Sequence, residues 1–343
     1  MSEASTIDTP PRARGAVAVG KARNLRWLKD FSLIPVIGVL LLIGFIVSPN
    51  FLTGDNMIAV LQQSTELSML VLGEALILIA GRMDLSLEST IGLAPVVALW
   101  VVLPEHGGRF NGLGIGAQWM AIPICLLVGA AIGALNGFLI LKMRLNGFIV
   151  TLAMLITLRG LITVIDGGQS IFTLPASFMY LGRTDWLGMP ASVWCCGLLF
   201  AIGIIALGWF RPGRALYAIG GNPGAARAAG IRVDRTVWIV LIIAGVLAAF
   251  GGILYAGRLG SVAASQGNGL IFSAFAATVI GGVSMNGGRG SLFGALTGVV
   301  ALQLIENVLT FGHVSADKIK FFDGAVILIA LIISRYTSGE AQE

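Results

Sequence analysis

The chain has 343 residues, 56% of them hydrophobic and only 11% charged, where an ordinary soluble domain carries roughly 25% charged residues. That balance excludes a soluble globular protein and implies one large helical domain in a bilayer. The net charge of +5 is scattered between apolar runs rather than gathered on one module, which argues against nucleic acid as a partner.

The first thirty residues are polar and basic, with Arg12, Arg14, Lys21, Arg23, Arg26 and Lys29 ahead of the first apolar run, and no cleavable signal is evident. Residues 1–30 therefore read as a cytoplasmic tail, because basic flanks stay on that side. Hydropathy predicts ten spans, at 31–47, 57–80, 85–103, 119–141, 148–165, 191–210, 237–255, 270–283, 292–311 and 321–333. The eighth and tenth are short for the ~20 residues a span needs. Residues 31–336 form the membrane domain and 337–343 a second cytoplasmic tail. With the N-terminus inside, sixteen of the 22 basic residues fall in cytoplasmic segments. Arg109, Arg183, Arg258, Lys318 and Lys320 fall outside, and Arg159 lies within a span. That asymmetry supports a multi-pass protein with both termini in the cytoplasm. Neither the outside loop 166–190 nor the inside loop 211–235 is long enough for a ligand-binding domain or an ATPase.

In the second span Glu66 and Glu74 lie on roughly one helix face. Intramembrane carboxylates are by default functional, but either of these can instead pair with Arg159, and pairing is the favoured reading for Glu74. The stretch Gly81-Arg82-Met83-Asp84-Leu85-Ser86-Leu87-Glu88-Ser89 interrupts two apolar runs. Asp84 and Ser86 either face a cavity or belong to a turn in which Asp84 caps the third helix, and Arg82 reads as an interfacial anchor. Gly129, Gly133 and Gly137 recur every four residues in the fourth span, as Gly294 and Gly298 do in the ninth, a spacing that lets helix backbones approach closely. Asn136 in the fourth span, and Glu306 and Asn307 in the ninth, are interhelical hydrogen-bond partners or pathway groups. The three cysteines, Cys125, Cys195 and Cys196, sit in apolar runs without metal-ligand or disulfide spacing and read as packing residues. No metal or other cofactor is expected.

Asn146 to Thr151 opens the fifth span. Phe148 offers a face on which a sugar can stack, with Asn146 and Thr151 to bond its hydroxyls; the plainer alternative is a helix cap. The stretch Arg214 to Ile231 encodes a short helix outside the membrane, with Asn222 at the cap, Pro223 at the first position, Ala225, Ala226 and Arg227 in the body and Gly230 at the left-handed stop. A helix so small and apolar in a cytoplasmic loop fits a groove on a partner, the plainer alternative being a helix that lies on the lipid surface. Gly281-Gly282 and Asn286 to Ser291 lack the Lys-Ser/Thr ending of a phosphate loop and read as a tight turn.

Taken together, these motifs resemble the permease family of ribose-, xylose- and galactose-type ABC importers, which belongs to a wider group with branched-chain amino acid permeases. The family pattern G-G-x-D-L-S-x-G-S is similar to Gly81 to Ser89, and P-x-F-I-V-T-L to Phe148 to Leu152 followed by Arg159-Gly160. G-N-P-x-A-A-R-x-x-G-I matches Gly221 to Ile231, and I-G-G…G-G-R-G-S matches Ile280 to Ser291. Arg82 and Glu88 depart from the two family glycines, Glu74 from an uncharged residue, and Gly224 from an acid. The resemblance implies an all-α membrane protein of about ten transmembrane helices, like the permease of a type II ABC importer. It also implies a second permease copy, an ABC ATPase inside, a periplasmic or extracellular sugar-binding protein outside, and a bacterial inner membrane around it. Asp84, Ser86, Asn146, Phe148 and Thr151 are the candidate path residues. Glu66, Glu74, Arg159, Glu306 and Asn307 are a candidate polar network, and Gly221, Asn222, Pro223, Ala225, Ala226, Arg227 and Gly230 the coupling surface.

The rivals are an ion-coupled carrier using Glu66, Glu74 and Asp84, and an ABC permease for branched-chain amino acids. A membrane-embedded enzyme is disfavoured, since His106 and His313 are not spaced as a metal pair and no nucleophile has an identifiable base.

Overall fold

In the computed structural model, residues 33–105, 110–315, 317–319, 321, 322, 324, 325, 328 and 332 are described. The basic tail, the C-terminal segment 337–343, His106, Arg109, Lys320, Arg335 and most of the expected tenth span lie outside them.

Nine expected spans fall among the described residues, and each forms a helix. They are α1 (Ile34–Val47), α2 (Gly54–Ile79), α3 (Leu87–Val102), α4 (Ala121–Gly137), α5 (Gly147–Asp166), α7 (Ala191–Trp209), α10 (Val233–Leu259), α11 (Leu270–Ile280) and α12 (Leu292–Phe311). A 3₁₀ turn (Gln118–Met120) leads into α4 and a π-helical turn (Phe138–Lys142) ends it. Three short helices complete the set: α6 (Ala176–Arg183), α8 (Arg211–Gly221) and α9 (Pro223–Ala228). Among the described residues, five segments are long and apolar enough to cross a membrane by length and composition alone: Gln118–Lys142, Gly147–Asp166, Ala191–Trp209, Val233–Leu259 and Leu292–Phe311. The protein is an all-helical, multi-pass membrane protein.

The central member is α10, which packs on α2, α3, α4 and α6. Its contact with α4 explains the glycine repeat: a Cβ at Gly129 would run into the Gly245 carbonyl, and one at Gly133 into the Leu241 carbonyl. These glycines let two backbones touch, so van der Waals contact replaces the hydrophobic drive that lipid cannot supply. The second repeat works in the same way, with Gly294 against Gly281 and Gly298 against Ala277 at the α11–α12 contact.

Two expectations need correction. The eighth expected span, 270–283, is helical over less than its length: α11 has 11 residues, about 16 Å of helix, against a hydrocarbon core of about 30 Å. The connection before it runs through the interior, where the buried Gln266 donates from Nε2 to the carbonyls of Ile91 (2.9 Å) and Gly252 (3.2 Å). Likewise, α3 starts only after the buried segment carrying Asp84 and Ser86. Irregular backbone is tolerated at membrane depth because protein, not lipid, surrounds it. The expected outside loop 166–190 also holds structure, namely α6 and a two-stranded hairpin pairing Asp185–Trp186 (β1) with Met189–Pro190 (β2).

Candidate functional site

The acidic segment before α3 folds inward. Asp84 and Ser86 are completely buried. Asp84 Oδ1 accepts from the Ser86 backbone N–H (2.9 Å) and hydroxyl (2.6 Å), and Asn136 of α4 donates from Nδ2 to Asp84 Oδ2 (3.2 Å) and Ser86 Oγ (2.7 Å). The closed set ties the start of α3 to α4, and the carboxylate faces the helix N-terminus, where the dipole favours it. Neither Asp84 nor Ser86 is open to a path in the single chain. The segment is a turn closed by Asp84 on Ser86, but it is buried rather than at the surface, and α3 carries no side-chain cap.

The acids of α2 do not meet Arg159. Glu66 pairs with Arg258 in the last turn of α10 (Oε1 to Nε, 2.5 Å), and that guanidinium also lies 5.5 Å from the centre of the Tyr255 ring. Arg258, expected in an outside loop, is therefore half of a part-buried ion pair. Glu74 is fully buried, and neither of its carboxylate oxygens meets a donor at hydrogen-bonding geometry; its polar neighbours are the backbone and carboxylate of Asp84. A buried polar group without partners destabilises the fold, and an apolar residue of similar volume removes that cost. Glu74→Leu is expected to stabilise the purified permease by about 1–3 kcal/mol. A lowered midpoint in a thermal melt in detergent would contradict the assignment.

Arg159 pairs instead with Glu88, the residue that departs from the family glycine, at 3.3 Å, and donates from its other terminal nitrogen to the Gln266 carbonyl at 2.8 Å. Glu88 Oε2 also accepts from the Ile271 N–H in the first turn of α11 (3.4 Å). A further polar seam joins α2 to α12. Asn56 and Asn307 exchange amide hydrogen bonds (3.0 and 3.1 Å), and Gln303 donates to Glu306 (3.1 Å). The expected single network is thus divided among four places: Glu66 with Arg258, Glu74 beside Asp84, Arg159 with Glu88, and Glu306 and Asn307 on α12.

At the start of α5, Asn146 caps the helix, its Oδ1 accepting from the Ile149 N–H at 3.2 Å. Phe148 is exposed, whereas Thr151 is buried and donates to the Phe148 carbonyl (3.3 Å). Of the five expected path residues, only Asn146 and Phe148 are open on this chain.

The short helix matches its sequence signature. Asn222 Oδ1 accepts from the Ala225 N–H (2.9 Å), Pro223 opens the helix, and Gly230 has φ +83°. Ala226 is the exception, since it is 3% exposed and packs into the chain's own core, while Ala225, Ala228 and Ala229 are exposed. Arg227 reaches Asp234 of its own chain at 3.4 Å. Behind it, α8 lies on two glycine turns. The Gly288 N–H donates to the Ile79 carbonyl (2.9 Å) and Tyr217 to the Gly290 carbonyl (2.9 Å), and a Cβ at Gly220 would collide with Ile79 and Gly288. The glycine-rich stretch after α11, read from sequence as a tight turn, is also the surface on which α8 rests. Sequence reasoning missed α8 itself, although Pro212 near its start was a usable signal.

Residues 56–331 match the family described as branched-chain amino acid transport system, permease component. The chain is 35% identical to the ribose import permease protein RbsC of Escherichia coli strain K12, over 90% of this chain and 94% of that one. It is 34% identical to the autoinducer 2 import system permease protein LsrC of Enterobacter sp. strain 638, over 89% and 87% of the two chains. It is 32% identical to the galactose/methyl galactoside import permease protein MglC of Salmonella typhimurium strain LT2, over 92% and 97%. No solved structure matches.

Proposed function

This chain belongs to the family of branched-chain amino acid transport system permease components, and on that premise we propose that it is the membrane subunit of an ATP-binding-cassette importer for a monosaccharide. The observation that carries the reading is end-to-end similarity to permeases named for the import of ribose and of galactose. The chain is a transport component rather than an enzyme, and ATP hydrolysis belongs to a partner chain. The partners are that ATPase, a second permease copy and an external sugar-binding protein, in a bacterial inner membrane with both termini in the cytoplasm.

Residues 211–235 are the coupling segment in this reading. A push on the exposed side of α9 passes through α8 to the Gly81 and Gly288 turns, three residues from Asp84. The path runs along the start of α5, where Asn146 and Phe148 are open, with Asp84, Ser86 and Thr151 supporting its wall. The test is ATP hydrolysis by the reconstituted complex. Binding protein loaded with D-ribose, D-galactose or L-arabinose should raise the rate several-fold, and a leucine-loaded binding protein should not. Stimulation by leucine alone would place the chain with the amino acid carriers instead.

A further inference from the structure

Lipid does not solvate a guanidinium, so a charged side chain open on the surface of a chain at bilayer depth meets either water or another protein. Arg159 is such a side chain. It is the thirteenth residue of α5, about 18 Å from the helix start and about 10 Å from its end at 1.5 Å per residue. It thus lies about two turns or more from either end of a helix long and apolar enough to cross a membrane, away from the ends where long basic side chains snorkel to the interface. Its side chain is 23% exposed while that of its partner Glu88 is 5% exposed.

The guanidinium is held in place from behind. Glu88 takes one terminal nitrogen and the Gln266 carbonyl the other, and Glu88 is itself tied to α11 and Gln266 to α3 and α10. Of the five N–H donors of an arginine, two are used by Glu88 and the Gln266 carbonyl, which leaves three for other acceptors on a side chain that is 23% exposed. At 100° per residue, Phe148, Leu152, Arg159 and Thr163 form a stripe at the edge of the buried face of α5; the other three members are exposed, while Leu155 and Asp166 beside them are turned inward. The stripe offers an aromatic face near one end and a fork of donors further along.

We propose that this stripe is the wall of the translocation path and that Arg159 is its mid-membrane contact for the hydroxyls of the sugar, with Glu88 and Gln266 as positioning residues. The inference rests on the importer reading, and it assigns the polar contact to Arg159 rather than to the buried Asp84 and Ser86. The chemistry suits a neutral polyol. A planar fork donates to neighbouring hydroxyls, and the Glu88 carboxylate cancels the charge, so the cargo needs no counter-ion. Contacts of this kind are weak enough to release, as conduction requires.

The test uses the complete importer in proteoliposomes with Cys125, Cys195 and Cys196 replaced by alanine. Thr163→Cys should react with a charged methanethiosulfonate reagent at least tenfold faster than Val164→Cys, which lies off the stripe, and turnover in D-ribose, D-galactose or L-arabinose should slow it. Arg159→Lys keeps a charge for Glu88 but loses the fork. It should cut uptake at saturating sugar at least tenfold and change the ranking of the three sugars. Equal labelling at 163 and 164, labelling that sugar turnover does not change, or wild-type uptake by Arg159→Lys would each overturn the proposal. If Arg159→Lys does not assemble, the labelling pair decides alone. A parent importer that takes up none of the three sugars counts against the importer reading itself, and so against this one.

Discussion

An Ala225→Glu permease is expected to insert and fold like the wild type and to lose its ATPase partner, whereas Ala226→Glu is expected not to fold. The two positions are neighbours in a six-residue helix, and only their burial separates them. Ala226 packs into the main core with Leu216, Ile219 and Val233, so a carboxylate there is an unpaired charge in an apolar interior, costing several kcal/mol. Ala225 is exposed, so glutamate costs nothing until a partner covers it. Burying that charge at the contact should then weaken association by about 3 kcal/mol or more, roughly a hundredfold. Co-purification of the ATPase with each variant, beside a melting curve of the permease alone, separates the two effects. ATPase retained at the wild-type level by Ala225→Glu would mean that α9 is not the coupling surface.

The second large effect concerns the α4–α10 crossing. Gly133→Leu is expected to abolish folding, because the added side chain meets the backbone of Leu241 and Ile242 and the helices can only accept it by separating. Overpacking against movable side chains costs about 1–3 kcal/mol. Here the obstacle is main chain, and the penalty should exceed that range. Gly197→Leu is the control, since Gly197 is exposed on α7 with open space where its Cβ would stand. Monodisperse elution of the Gly133→Leu protein at wild-type yield would show that the close approach is dispensable.

These contrasts mark where sequence reading reaches its limit. Apolar runs locate α1 to α5 and α12 closely, because a bilayer imposes length and hydropathy on anything that crosses it. The capping of α9 is equally legible, since Asn222, Pro223 and Gly230 act within a few residues of one another. Partners distant in the chain are not legible. Arg159 and Glu88 are 71 positions apart, and Arg258 and Glu66 are 192 apart, so only the packing of α5 on α3 and of α10 on α2 decides which acid each arginine meets. Charge also misleads at Asp84: a polar segment between apolar runs reads as a surface turn, yet Asn136 and Ser86 supply the donors that let it fold inward. In α9 the alanines surround the axis, so no periodicity could reveal that Ala226 is the one facing the core.

The central claim, that this permease is driven by ATP and not by an ion gradient, is tested most directly by uptake into proteoliposomes holding the complete importer and its loaded binding protein, with ATP on the side of residues 211–235. The expected result is accumulation of radiolabelled D-ribose, D-galactose or L-arabinose that needs ATP and continues when ionophores abolish proton and sodium gradients. Accumulation that persists without ATP and collapses with the ionophores would contradict it, and would return Glu66, Glu74 and Asp84 to consideration as ion sites.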